Sequence, residues 1–412
     1  MNIEIQPNKL VGTVKIPSSK SMAHRMLICA ALSKGISQID GISFSKDIHA
    51  TISVMEALGA KFEKQEHSVT VTGIREIPET AFANCCESGS TLRFLIPVAA
   101  ALGIETTFTG QGRLPERPIM PYVRELSKKN INFLDYQNTM PFTMQGRLEH
   151  GIFELEGNIS SQFITGLLLA LPLLREDSEI ILTSPLESKP YADMTIDCMQ
   201  QFGVYIKEIE NGYHVFGTQH YHAQNLQVEG DFSQAAFFYV ANAIGNQVVL
   251  QNIPEKSKQG DRKIIEIIEQ ICYNKNIEQD IFKINAKDIP DLVPIIAVLA
   301  TFADKPTRIS GAERLRIKES DRLETTANML NALGGNVKIL SDGLEIQPVK
   351  NLHGGTIDSA GDHRIAMCGA IAATRATEPV IILGAECIEK SYPAFFQDYI
   401  KLGGKLNGFN LE

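Results

Sequence analysis

The stretch MEALGAKFEKQEHSVTV, residues 55–71, aligns without a gap to MQQFGVYIKEIENGYHV, residues 199–215, and to LNALGGNVKILSDGLEI, residues 330–346. In each, a helix-like run meets a glycine at the same place, Gly59, Gly203 or Gly334. Glycine there suits the left-handed conformation that closes a helix C-terminus. The alternation that follows predicts a strand, a polar turn and a second strand. YIKLGGKLNGFNLE, residues 399–412, reads as a shortened copy. Repetition at this scale means one supersecondary unit used several times.

A second set of segments alternates with the first. It comprises SMAHRMLICAAL from Ser21, TLRFLIPVAAAL from Thr91, SQFITGLLLALP from Ser161, QAAFFYVANAI from Gln234, DLVPIIAVLATF from Asp291 and HRIAMCGAIAAT from His363. Their starts lie 57 to 73 residues apart, which makes six units of similar length. Each is apolar nearly all round, as a buried helix should be. Each lead-in is polar: SSKS, ESGS, ISS, EGDFS, KDIPD and AGDH. Helix starts of this kind aim unpaired N–H groups and a partial positive charge at an anion. Serine and aspartate are equally the usual N-cap residues, so both readings stand at this point.

The chain of 412 residues is too long for one ordinary core, so two domains of three units each are expected. NLQVEGDFSQAAFF, residues 225–238, combines a strand-like run with a Gly-Asp turn and puts the hinge at 229–231. Residues 1–18, with a leading strand over 3–16, are assigned with 230–412 to a discontinuous domain, and 19–229 form the other.

Seven cysteines without a CxxC pair argue for free thiols in a reducing, cytoplasmic compartment. The longest apolar stretches, residues 163–174 and 292–303, fall short of the ~20 residues that span a bilayer. MNIEIQPNKL resembles neither a signal peptide nor a transit segment. A net charge of -9 disfavours nucleic acid and anionic membranes as partners. An anionic small substrate would need lysine and arginine gathered locally. The helix lead-ins supply them: Lys20, Arg25, Arg93, Arg113, Arg117 and Lys189 in the first half, and Arg314, Arg316, Lys318, Arg322, Arg364 and Lys390 in the second. Two basic half-sites suit a pair of phosphorylated or carboxylated substrates held across a cleft.

Other motifs fail. TGQGRL lacks the third glycine of a dinucleotide loop, and no GxxxxGK[ST] occurs. His220 and His222 could share a strand face but have no third ligand nearby, so no metal site is expected.

In order and spacing, KIPSSKSMAHR, SGSTLRF, GQGRLPERP, SSQFITGLL, SKPY, RLRIKESDRL, GDHRIAM and EKSYP resemble the EPSP synthase family, over essentially the whole chain. The resemblance implies an α/β fold, a two-domain inside-out α/β barrel of six βαβαββ units, three per domain. It also implies enolpyruvyl transfer from phosphoenolpyruvate to the 5-hydroxyl of shikimate 3-phosphate by addition and elimination, with release of phosphate, no metal or organic cofactor, and a monomeric enzyme. On the shikimate 3-phosphate side it places Lys20, Ser21, Arg25, Ser160, Ser161, Gln162, Ser188, Tyr191, Asp291 and Lys318. On the phosphoenolpyruvate side it places Lys20, Gly89, Arg117, Gln162, Arg322, Arg364 and Lys390. Asp291 would act as base toward the hydroxyl, Glu319 would serve the methylene, and Lys20 would support phosphate departure. Gly89 would let a backbone N–H approach substrate where a Cβ would collide. If residues 318–322 are helical, Lys318 and Arg322 share a face.

Two positions depart from the family pattern. Glu87 stands where relatives often carry Asn, beside a supposed anion site, and would turn toward a cation such as Arg93 or alter the substrate contacts. Arg314 stands where some relatives have Asn, so no contact is carried over to it. Two rival functions remain: enolpyruvyl transfer to a nucleotide sugar, whose family opens with Lys-Asn rather than Lys20-Ser21 and carries a reactive loop cysteine, and anion binding without catalysis.

Overall fold

The computed structural model describes residues 1–273 and 280–408. The chain is mixed α/β and divides into two compact units, one of Met1–Pro17 with Gly230–Glu412, the other of Ser18–Glu229. Each unit is built around its own apolar core. None of the helices among the described residues is long and apolar enough to cross a membrane.

The repeated segment forms as its pattern dictates. Helices Lys46–Ala57, Lys189–Gln201 and Arg322–Ala332 stop just before Gly59, Gly203 and Gly334, whose φ angles are 105°, 82° and 84°. A side chain at such φ is strained, so glycine ends the helix at little cost. At Gly203 and Gly334 a second constraint acts, because the rings of His222 and His353 occupy the place of a Cβ. Antiparallel hairpins follow: Lys61–Lys64 with Ser68–Thr72, Ile206–Ile209 with Gly212–Val215, and Asn336–Leu340 with Gly343–Gln347. A further copy escaped the alignment. Helix Met120–Ser127 runs through Asn130, at φ 66°, into strands Ile131–Leu134 and Phe142–Gly146. Asn is the other residue that tolerates this conformation.

Among the described residues five sheets have four strands, a parallel pair followed by two antiparallel strands, which form a hairpin in four of them and come from opposite ends of the chain in the fifth. Thr80–Asn84, for example, runs parallel to Glu105–Thr109, and helix Gly89–Leu102 makes the crossover that a parallel pair requires. Two units exchange their first strands. Val11–Lys15, which leads into helix Lys20–Leu32, pairs with Gln247–Gln251, while Asn225–Gln227, which leads into helix Phe232–Ala243, pairs with Ile36–Asp40. The leading segment is two strands rather than one, because Ile3–Gln6 pairs separately with Val380–Leu383 and Lys405–Asn407. The fourth unit departs from βαβαββ. Among the described residues its sheet has two strands, and short helical turns at Gly260–Lys263, Ile264–Ile268 and Glu269–Tyr273 follow them.

The six apolar segments are buried helices. Five are capped by the side chain of a lead-in residue, Ser19, Ser88, Ser160, Asp231 or Asp362, each accepting from a first-turn N–H. The N-cap reading therefore holds for these five. The exception is Val293–Thr301, preceded by the 3-10 turn Pro290–Leu292 and capped by no side chain. Asp291 lies in that turn, ahead of the helix, and its carboxylate is used elsewhere.

Candidate active site

In the unit containing the C-terminal half, three buried helix starts bring Ser233, Asp291 and Arg364 together. Arg364 Nη2 donates to Asp291 Oδ2 at 3.1 Å and to Ser233 Oγ at 3.1 Å. Arg322 is the hub of the cluster. Its Nη1 donates to Asp291 Oδ1 at 2.8 Å, its Nη2 to Glu319 Oε2 at 2.7 Å, and its Nε to Asp362 Oδ2 at 2.7 Å. Lys318 Nζ adds a third cationic group, 3.8 Å from Asp291 Oδ1. Residues 318–321 are not helical as supposed. The helix begins at Arg322 under the Asp321 cap, and Lys318 is extended, so it reaches Asp291 across the cluster instead of sharing a helix face with Arg322. Lys390 Nζ donates to the carbonyl of Gly361 at 2.8 Å, next to the Asp362 cap. Arg314 turns away to the carbonyl of Lys287, at 2.7 Å.

Burial alone would raise the proton affinity of Asp291, but Arg364, Lys318 and Arg322 reverse this and hold its carboxyl well below the usual range. Asp362 is likewise kept ionised against its burial, chiefly by Arg322. Asp261 behaves oppositely. Burial, with repulsion from Asp291 and Asp231, pushes it from 3.8 up to about 7, against the pull of Arg364 and the Ser233 hydroxyl. Between these values the folded state keeps a proton that the unfolded chain releases, so this group lowers stability progressively as pH rises from about 4 to 7. Asp261→Asn lacks that term. Its melting temperature relative to wild type is expected to climb between pH 4 and pH 8, and a constant difference across that window would refute the assignment.

The second unit assembles the remaining predicted residues. Lys20 Nζ pairs with Asp47 Oδ2 at 2.7 Å. Gln162 accepts from Arg93 Nη1 at 2.7 Å and donates to Ser90 Oγ at 3.0 Å, which joins two helix starts. These starts are held by an unusual arrangement. Pro97 has no N–H to give the carbonyl of Arg93, and the Tyr122 hydroxyl supplies it instead at 2.8 Å, passing through space left by Gly166. The Arg117 guanidinium lies on Gly89, where a Cβ would stand 2.7 Å from Nη1. The collision foreseen for substrate is thus already present within the protein.

Arg25 faces inward. It donates to Thr195 Oγ1 at 2.8 Å and to the carbonyls of Ser21 and Tyr191 at 2.7 and 2.8 Å, and packs over the Phe94 ring. Burial brings its pKa from 12.5 down to about 10. Ser160 is used as a helix cap, and Ser161 is buried in the first turn behind it. Ser188 is buried in the left-handed region, φ 57°, at the start of the helix that carries Tyr191. Glu87 packs against Gly112, filling the space a side chain there would need.

Sequence reasoning left Asp47, Ser233 and Asp261 out of the site. Asp47 had a weak signal as a first-turn acid after Ser45. Ser233 sat within the EGDFS lead-in but was read only as part of a cap. Nothing local distinguishes Asp261.

The sequence matches the family described as EPSP synthase (3-phosphoshikimate 1-carboxyvinyltransferase) over residues 5–399. A protein of Clostridium perfringens named 3-phosphoshikimate 1-carboxyvinyltransferase is 44% identical over 420 residues, covering 98% of this chain and 99% of its own. One of Clostridium novyi with the same name is 43% identical, covering 100% and 99%. Two solved structures of EPSP synthase from Acinetobacter baumannii share the fold, with TM-scores of 0.81 and 0.82 at 24% identity, covering 98% and 100% of this chain and 99% and 100% of theirs. With matched residues spanning both units, the chain belongs to the EPSP synthase family, the 3-phosphoshikimate 1-carboxyvinyltransferases.

Proposed function

We propose that this enzyme transfers the enolpyruvyl group of phosphoenolpyruvate to the 5-hydroxyl of shikimate 3-phosphate, working as a cytoplasmic monomer, and that the residues above carry the reaction. The observation that supports it best is the cluster in which one carboxylate, Asp291, faces Arg322, Arg364 and Lys318 with Glu319 alongside.

The 5-hydroxyl loses its proton as its oxygen bonds to the central carbon of phosphoenolpyruvate, and the terminal methylene gains a proton to become methyl. The C–O bond to phosphate then breaks, and the methyl returns a proton as the vinyl ether forms. Asp291 takes the hydroxyl proton. A carboxylate held by three cations is a weak base, but an arriving phosphate or carboxylate competes for those cations, and the proton affinity of Asp291 rises when substrate is bound. Glu319 serves the methylene. Lys20 supports the departing phosphate, relieved of Asp47 as substrate arrives. Arg117, Arg322, Arg364 and Lys390 bind phosphoenolpyruvate, with Gln162 set between Arg93 and Ser90. Ser21, Ser160, Ser161, Ser188 and Tyr191 line the shikimate 3-phosphate side. Arg25 supports them from behind through the carbonyls of Ser21 and Tyr191.

Phosphate release on mixing phosphoenolpyruvate with shikimate 3-phosphate, with a nucleotide sugar as control, tests the reading. Release with the nucleotide sugar alone, or with neither, would overturn it. Gly89→Ala adds a finer check. The new methyl must displace the Arg117 guanidinium, so KM for phosphoenolpyruvate is expected to rise about tenfold, the loss of one charge-assisted contact. Inhibition by glyphosate, which in this family occupies the phosphoenolpyruvate position, should weaken in parallel. Equal inhibition of both proteins would remove the steric argument.

A further inference from the structure

Arg364 is held from two sides, and only one of them belongs to the reacting groups. On the far side stands Ser233, in the first turn of helix Phe232–Ala243. Its hydroxyl accepts from Arg364 Nη2 at 3.1 Å and donates to the carboxylate of Asp261. A serine hydroxyl has one proton, so once Asp261 takes it the lone pairs of Oγ must face the guanidinium. Asp261 is itself fixed. It lies in the turn Gly260–Lys263, and the preceding Gln259 anchors that turn to the same helix start, accepting from Phe232 N at 2.9 Å and donating to the carbonyl of Gly230 at 2.8 Å.

We propose that Asp261, acting through Ser233, is a positioning residue that sets the Arg364 guanidinium for the anionic enolpyruvyl donor. This rests on the reading above that Arg364 contacts phosphoenolpyruvate. Without this second hold, the contact of Arg364 Nη2 with Asp291 would shift whenever Asp291 gained a proton or a substrate displaced it. The chain Asp261–Ser233–Arg364 gives the donor-binding cation a hold besides its bond to the base. Placing a carboxyl in the interior has a cost, visible in its raised pKa of about 7, and such buried groups bordering a site are functional candidates. Asp261 is only 4% exposed, so it acts on substrate through Ser233 and Arg364 and not directly.

The full-length protein is assayed for phosphate release with each substrate varied in turn. Asp261→Leu, nearly isosteric but without an acceptor, and Ser233→Ala are each expected to raise KM for phosphoenolpyruvate about tenfold, the loss of one hydrogen bond's orientation. KM for shikimate 3-phosphate and kcat should stay within about twofold, a split that general loosening of the fold would not produce. Asp261→Asn keeps an acceptor oxygen and Ser233→Thr keeps the hydroxyl, so both should restore KM to near the wild-type value. The double variant Ser233→Ala/Asp261→Leu should be no worse than either single variant. An unchanged KM for phosphoenolpyruvate in active Ser233→Ala, or equal rises for both substrates, would overturn the proposal while leaving the enzyme's activity intact. Absence of turnover in wild type would instead overturn the functional reading.

Discussion

Replacing Arg322 by methionine is expected to cost about 3–5 kcal/mol of folding stability, the penalty for removing one partner from a buried ion cluster. The side chain of Arg322 is 2% exposed and touches three carboxylates, on Asp291, Glu319 and Asp362, the last with 0% exposure. Methionine fills a similar volume, so packing changes little and the loss is electrostatic. Lysine would recover only part of it, because a single ammonium cannot reproduce a planar fork pointing at three acceptors. Urea unfolding should show a lower midpoint with an unchanged slope. Asp362→Asn in the methionine background should recover part of the loss, since it removes one stranded charge. Stability of Arg322→Met within 1 kcal/mol of wild type would show that water reaches these carboxylates and that the cluster is not a closed unit.

The second large effect is catalytic. Asp291→Asn and Glu319→Gln should each lower kcat by about 10²- to 10⁴-fold, the range for losing a positioned proton-transfer group. Both variants keep hydrogen-bond acceptors for Arg322, so KM should move by no more than a few-fold. Solvent deuterium separates the two roles. Wild type should wash deuterium into the methylene of phosphoenolpyruvate or product, and Glu319→Gln should lose this exchange far more than it loses binding. A change confined to KM in both variants would remove these residues from the proton transfers.

The repeating unit was legible because every feature that defines it is local. The end of a helix, a glycine that accepts positive φ and an alternating hairpin are written within some seventeen consecutive residues, as in 55–71, and each apolar helix within about twelve more. The copy through Asn130 was missed because asparagine meets the same backbone requirement with a different letter. The fourth unit's sheet, two-stranded among the described residues, was missed because the spacing of the buried helices, though shortest here at 57 residues, says nothing of the strands between them. The polar helix starts were equally legible, and serine and aspartate there act as N-caps. Five lead-in residues cap, while Asp291, set in a turn of its own, does not.

The sequence by itself determined the unit, its repetition, the family and the set of charged residues gathered at the helix starts, since each of these follows from neighbours along the chain. Only the tertiary structure decided which cation answers which carboxylate. Arg322 meets Asp291 across 31 residues and Asp362 across 40, and Arg364 meets Asp291 across 73 and Ser233 across 131. Over such separations no local pattern is specific, and the pairing is fixed by how the helix starts pack. The same packing places Asp261, a residue with no motif around it, behind Ser233, and joins Arg25 to the carbonyls of Ser21 and Tyr191. Charge sets what must be paired, and the burial created by the fold sets the partner, because only there is an unanswered charge too costly to leave alone.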